Sequence, residues 1–172
     1  MPGRRGLEIT RLAGAALGAG LLAACASTQG GAGEDAAAWR KLTQVDKRFA
    51  IFMNDPVPAP VDGLATFRFV YVYAPGAVEH EGREVSWQEY SAMTVNCAAD
   101  TVKVGPRTRY APDGSVIMLD DNQEFAAIIG PAIAKAAAVS CRGETAPEQV
   151  LIPDGPGWQE AARANIAASE PF

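Results

Sequence analysis

The chain has 172 residues, 48% apolar and 20% charged, with 15 basic and 20 acidic side chains and a formal net charge of −5. That length suits one domain with its own core, and the composition excludes wholesale disorder. With no basic surplus there is nothing to drive binding along a nucleic-acid backbone. One histidine leaves little room for histidine metal sites or catalytic pairs.

Residues 1–24 read as an export signal. Arg4, Arg5 and Arg11 supply a positive start, and residues 12–24 are uncharged, with Leu12, Leu17, Leu21 and Leu22 set among Ala and Gly. The apolar run is shorter than the roughly 20 residues a membrane-spanning helix needs. Its end, Leu22-Ala23-Ala24-Cys25, resembles the lipobox of bacterial lipoproteins. That resemblance implies that the Cys25 thiol receives a diacylglyceryl group and becomes the first residue of the mature chain. The alternative is an ordinary secretory signal whose cleavage site abuts a cysteine. Several acyl chains, each methylene contributing about 0.8 kcal/mol, give lasting attachment where a single chain does not. In the sorting rule such lipoproteins follow in some bacteria, Asp after the cysteine means inner-membrane retention; Ala26 therefore points to the outer membrane.

Removing Arg4, Arg5, Arg11 and Glu8 from 15 basic and 20 acidic residues leaves 12 and 19, a net −7 for the mature chain. Attachment to anionic lipid must then rest on the acyl anchor and not on a polybasic face. The Ala-, Gly-, Ser- and Thr-rich stretch completing residues 25–38 reads as a flexible tether with a reach of about 20 Å. The folded domain is expected over residues 39–172.

Cys97 and Cys141 are then an even pair in an exported protein, for which a disulfide is the default. A reactive thiol, the alternative, needs a neighbouring base.

Residues 48–53 are short and β-prone, and Pro56, Pro58 and Pro60 keep the following stretch extended or turning. Residues 65–73 carry the strongest strand signal: Phe67, Phe69, Tyr71 and Tyr73 fall on one face, Arg68, Val70 and Val72 on the other. Residues 85–97 predict a long strand with room for a bulge. A strand over 101–110 must bend or lie at an edge where Gly105-Pro106 interrupts it. Pro112-Asp113-Gly114 turns the chain into a further strand over 115–119, completing a hairpin. Pro131 suits the first turn of a helix over 132–139. A second helix over 157–168 places Trp158, Ala161, Ala162 and Ile166 in one stripe. Strands first and helices last predict an α+β fold: an antiparallel sheet with the C-terminal helices packed on one face and one disulfide. The Trp158 helix is expected to cover the Phe67–Tyr73 face, the alternative being that part of this face stays open to a partner.

Over residues 39–141 the chain resembles the surface-adhesin protein E family of bacterial lipoproteins. The residues carrying the resemblance are Trp39, Asp55, Tyr90-Ser91 six residues before Cys97, Tyr110, Asp113-Gly114 ahead of an apolar strand, and a helix ending at Cys141. It departs from that pattern at Phe125, where a Trp often precedes the last helix, and in the proline-rich stretch after Asp55. The resemblance implies an antiparallel sheet with an attached helix, a Cys97–Cys141 disulfide, and display at the cell envelope. Family members that act as adhesins bind host proteins, and the pattern marks no catalytic centre.

Motifs for chemistry are incomplete. His80-Glu81-Gly82-Arg83-Glu84 approaches a zinc-protease motif but has Glu84 where the second histidine belongs, and reads as a solvated hairpin loop. Asp120-Asp121-Asn122-Gln123-Glu124 opens like a calcium loop but puts Phe125 at the glycine position and Pro131 at the position of the closing glutamate. Ser91, Ser115 and Ser140 have His80 alone as a candidate imidazole partner, with no nucleophile elbow. No Gly-rich phosphate loop occurs. The sequence thus predicts a lipid-anchored envelope protein that works by binding, without a catalytic, cofactor or metal site. Its lipidation residue is Cys25, and its disulfide joins Cys97 and Cys141. Its partners are the membrane through its anchor, a protein ligand, and a second copy paired along an open sheet edge. The alternative is a periplasm-facing structural or assembly lipoprotein.

Overall fold

The computed structural model describes residues 37–121, 125–145 and 150–169. The leader, the lipobox, the tether up to residue 36 and residues 122–124 of the acidic run lie outside the described residues.

The described strands are β1 (Ala38–Val45), β2 (Phe49–Asp55), β3 (Leu64–Tyr73), β4 (Glu79–His80), β5 (Arg83–Glu84), β6 (Trp87–Asn96), β7 (Thr101–Val104), β8 (Arg107–Tyr110), β9 (Val116–Asp120), β10 (Phe125–Ala127) and β11 (Leu151–Pro153). The helices are α1 (Pro131–Arg142) and α2 (Trp158–Ala168). Nine of these strands form one antiparallel sheet in the order β10-β7-β6-β3-β2-β1-β11, with β8 paired to β6 and β9 paired to β8. β4 and β5 make a separate hairpin. Among the described residues no helix is long and apolar enough to cross a membrane.

The strand alternation of β3 is as the sequence predicts: Phe67 and Phe69 enter one core, Val70 and Val72 the other. The placement of the helices is different. Ala132, Ala136 and Ala137 of α1 pack with Phe67, Phe69, Met93, Val95 and Val102, whereas Trp158, Ala162 and Ile166 of α2 pack with Trp39, Ala50, Phe52, Val70 and Val72. Because successive strand residues point to opposite faces, the two helices cover opposite faces of the sheet. The expectation of both helices on one face is corrected, as is that of Trp158 over the Phe67–Tyr73 face. The physical reason lies in β1, where Trp39 is buried and stacks on Trp158 with centroids 4.7 Å apart. Ala38, expected at the end of the tether, is the first residue of β1 and pairs with Asp55 and Pro153.

Two bulges shape the sheet. In β1 the register shifts between Lys41 and Thr43, so the extra residue Leu42 turns its side chain into the α1 core while its carbonyl accepts a hydrogen bond from Lys135 Nζ at 2.6 Å. Lys41 projects the other way and donates to Asn165 Oδ1 (2.6 Å) and Ser169 Oγ (3.3 Å) at the end of α2, where the helix dipole favours a cation. Burial holds its ammonium pKa below the usual lysine range.

In β6 the extra residue falls between the pairs Phe67↔Met93 and Phe69↔Tyr90. At that point β6 changes partner, from β8 along Trp87–Tyr90 to β7 along Met93–Asn96. Gly105 and Pro106 form the bend: Ser91 N donates to the Pro106 carbonyl at 3.1 Å, and Gly105 lies so close to Ala92 that a Cβ there would sit 2.0 Å from the Ala92 oxygen. The expected strand over 101–110 is therefore two short strands about a glycine that must lack a side chain. The disulfide forms as expected, with Cα atoms of Cys97 and Cys141 5.6 Å apart. It ties the end of β6 to α1.

Candidate binding face

The β6 bulge divides the α1 face of the sheet into two regions. Along β7 the inward residues Met93, Val95 and Val102 are buried in the α1 core. Along β8 the composition changes. The register places Ile51, Tyr71, Gln88, Arg109 and Met118 in one row across β2, β3, β6, β8 and β9, and Met53, Phe69, Tyr90, Arg107 and Asp120 in the next. Each row passes from an apolar residue through an aromatic to an arginine, and the two end at Met118 and Asp120.

Tyr71, Tyr90, Arg107 and Arg109 are half-buried, and Tyr73 and Gln88 are buried. The rings form a continuous cluster. Tyr71 meets Phe69 edge-on at 5.6 Å and Tyr73 in a stacked arrangement at 6.3 Å, and Tyr90 lies 6.1 Å from Tyr71. Phe49 borders the cluster, 5.9 Å from Tyr71.

The polar atoms are organised around Gln88. Its Oε1 accepts from Arg109 Nε at 2.8 Å, and its Nε2 donates to the Tyr90 hydroxyl oxygen at 2.9 Å. Both ends of the amide are thereby fixed, and Tyr90 keeps its own O–H to donate. A second Arg109 donor, Nη1, meets Nδ1 of His80 at 3.0 Å. Guanidinium can only donate, so Nδ1 accepts and the His80 ring proton sits on Nε2. Burial, reinforced by the neighbouring Tyr71 and Tyr90, raises the Tyr73 pKa far above the usual tyrosine range, while Arg109 and Arg107 pull it the other way. Burial and Tyr90 raise Tyr71 in the same sense. The phenols are thus held neutral and can donate.

The two arginines differ in their pairing. Arg107 is ion-paired with Asp120. Arg109 has no carboxylate partner among the described residues: it is held by Gln88 and His80. Three of its five N–H donors remain without a protein acceptor there. A half-buried cation, phenol donors and a locked amide make a surface rich in donors. Such a surface has the donors that an anion would need.

The residues marked in the sequence are placed as follows. Cys25 lies outside the described residues. His80 stands on the β4–β5 hairpin, opposite Arg83, and is drawn onto Arg109; it is not a loop free in solvent. Ser115 Oγ accepts from Arg83 at 2.8 Å, and Ser140 Oγ donates to the Ala136 carbonyl at 2.8 Å inside α1. The pattern reading overlooks Gln88, Tyr90, Arg107 and Arg109 as a group. Its signal is the alternate spacing of Gln88 with Tyr90 and of Arg107 with Arg109, which becomes a site once the β6–β8 register is known. A separate cleft of about 370 Å³ lies between Arg40, Asp55, Val57, Val139 and Gly143. There Arg40 Nε is committed to Asp55 Oδ1 at 3.1 Å.

Compared with protein-family models, curated proteins and solved structures, the chain matches none. The face is therefore read from its own chemistry.

Proposed function

We propose that the chain is an outer-membrane-anchored envelope lipoprotein whose domain acts by binding, without catalysis, as an adhesin-related module of the surface-adhesin protein E kind. The lipobox ending at Cys25 supports the anchor. The Cys97–Cys141 disulfide supports an oxidising compartment. The binding role is carried by one observation: Arg109, half-buried beside the tyrosine cluster, is held by Gln88 and His80 and keeps donors without a protein acceptor among the described residues. Tyrosine and arginine dominate the energetics of protein-binding surfaces because they present large, rigid area together with directed hydrogen bonds.

Protease shaving of intact cells carrying an epitope-tagged, natively acylated copy tests the display. Loss of the tag while a periplasmic control survives is the expected result. Protection until the outer membrane is opened would contradict it, and would favour the periplasm-facing assembly role.

A further inference from the structure

We infer that the face around Arg109 is a carboxylate-binding site that takes an Asp or Glu side chain from an aromatic-containing segment of a protein partner. This rests on reading the face as a binding surface and names what it binds.

Charge complementarity points to a carboxylate. Arg109 is the cation of the face whose charge no described carboxylate meets, since Arg107 is already paired with Asp120. Its remaining N–H groups, on Nη1 and Nη2, lie in the guanidinium plane, the geometry in which arginine meets carboxylate oxygens. Gln88 and His80 hold the guanidinium in place, so little side-chain entropy is lost when an anion arrives. The neighbouring phenols add donors: the Tyr90 hydroxyl already accepts from Gln88 and has its proton to give, and burial keeps Tyr71 and Tyr73 protonated.

The same charges argue for a peptide over a polyanion. The whole chain carries a formal −5, and −7 without residues 1–24, so a nucleic acid, an acidic polysaccharide or an anionic lipid surface meets net repulsion that the local charge of Arg109 does not offset. A single carboxylate on a polypeptide needs only the local site. The flanking Phe49, Tyr71 and Tyr90 rings offer half-buried aromatic area of the kind that packs against side chains next to that carboxylate.

The experiment is selection of a randomised dodecapeptide display library on the mature acylated chain in detergent, as wild type, Arg109→Gln, Arg109→Lys and Tyr71→Ala. The wild-type pool is expected to be enriched in Asp and Glu over the input, and the Arg109→Gln pool is not. Synthetic peptides from the wild-type pool should bind Arg109→Gln about tenfold more weakly, as the loss of one charge-assisted pair predicts. Arg109→Lys should fall between, having the charge without the fork. Should Arg109→Gln fail to fold, the same peptides with Gln and Asn in place of Glu and Asp give the comparison on wild type alone. Equal affinity for acidic and amide peptides would overturn carboxylate recognition while leaving the face as a binding surface, provided Tyr71→Ala abolishes binding. Pools indifferent to Tyr71→Ala as well would overturn the binding face itself.

Discussion

Trp39 in β1 stacks on Trp158 in α2 with ring centroids 4.7 Å apart and an angle of 24° between their planes. Trp39 Nε1 also donates to Asp154 Oδ1 at 3.0 Å, and the Arg68 guanidinium lies 4.6 Å from the Trp39 ring centre. This contact fixes which face of the sheet α2 covers, and so leaves the Phe67–Tyr73 face to α1 and the Arg109 cluster. Replacing Trp158 by Ala should remove most of the α2 anchor and destabilise the domain by about 3–4 kcal/mol, as for other buried Trp truncations. Urea unfolding followed by circular dichroism measures this.

The disulfide closes a loop with a sequence separation of 44. In the chain-entropy description such a loop stabilises by about 4 kcal/mol by restricting the unfolded chain. The Cys97→Ala/Cys141→Ala double variant should therefore melt about 10–15 °C lower than the oxidised protein, read by a thermal scan. A reducing agent added to the wild type should reproduce most of the shift.

Gly105 carries the bend between β7 and β8, where an added Cβ would stand 2.0 Å from the Ala92 oxygen and 2.9 Å from its carbonyl carbon. Backbone cannot yield as a flexible side chain does. Gly105→Ala should cost about 3 kcal/mol or more and disturb the β6–β8 register. Loss of slow amide exchange at Gln88 and Tyr90 would report that disturbance, ahead of any global unfolding.

At the β8–β9 turn, Asp113 Oδ1 accepts from the Ser115 backbone N–H at 2.9 Å. Hydrogen bonds from Ser115, aided by Arg83, hold its carboxyl below the ordinary aspartate range. A depressed folded-state pKa gives stability that is fully present above the unfolded value, about 4, and is lost as pH falls through the folded value. Asp113→Asn keeps an acceptor oxygen but cannot titrate. Its stability should fall less steeply than the wild type's below about pH 4, as measured by urea unfolding at a series of pH values.

Much of this fold is legible in the sequence because it depends on local alternation and punctuation. The period-2 pattern of Phe67, Phe69, Tyr71 and Tyr73, the Pro112-Asp113-Gly114 turn and the Trp158–Ile166 stripe are strand, turn and helix as their patterns predict. What alternation cannot give is the partner of each face. A helical stripe states that a helix is buried, not against which side of a sheet; Trp39 decides that, across the whole length of the domain. β1, β10 and β11 also escape pattern reading, the last two being three residues long and held by their neighbours.

The Arg109 site is hidden for a related reason. Tyr71, Gln88 and Arg109 lie on three different strands, and the register that aligns them depends on a one-residue bulge in β6. A slip of one residue would send each of these side chains to the opposite face.

The most direct measurement of the account is photo-cross-linking in living cells, with a photo-reactive phenylalanine analogue replacing Tyr71 or Tyr90 and, as control, Glu160 on the exposed side of α2. A discrete protein adduct from positions 71 and 90, absent from position 160 and lost with Arg109→Gln, is the predicted result. Adducts that are absent from the tyrosine positions, or the same from all three, would contradict a binding role for this face.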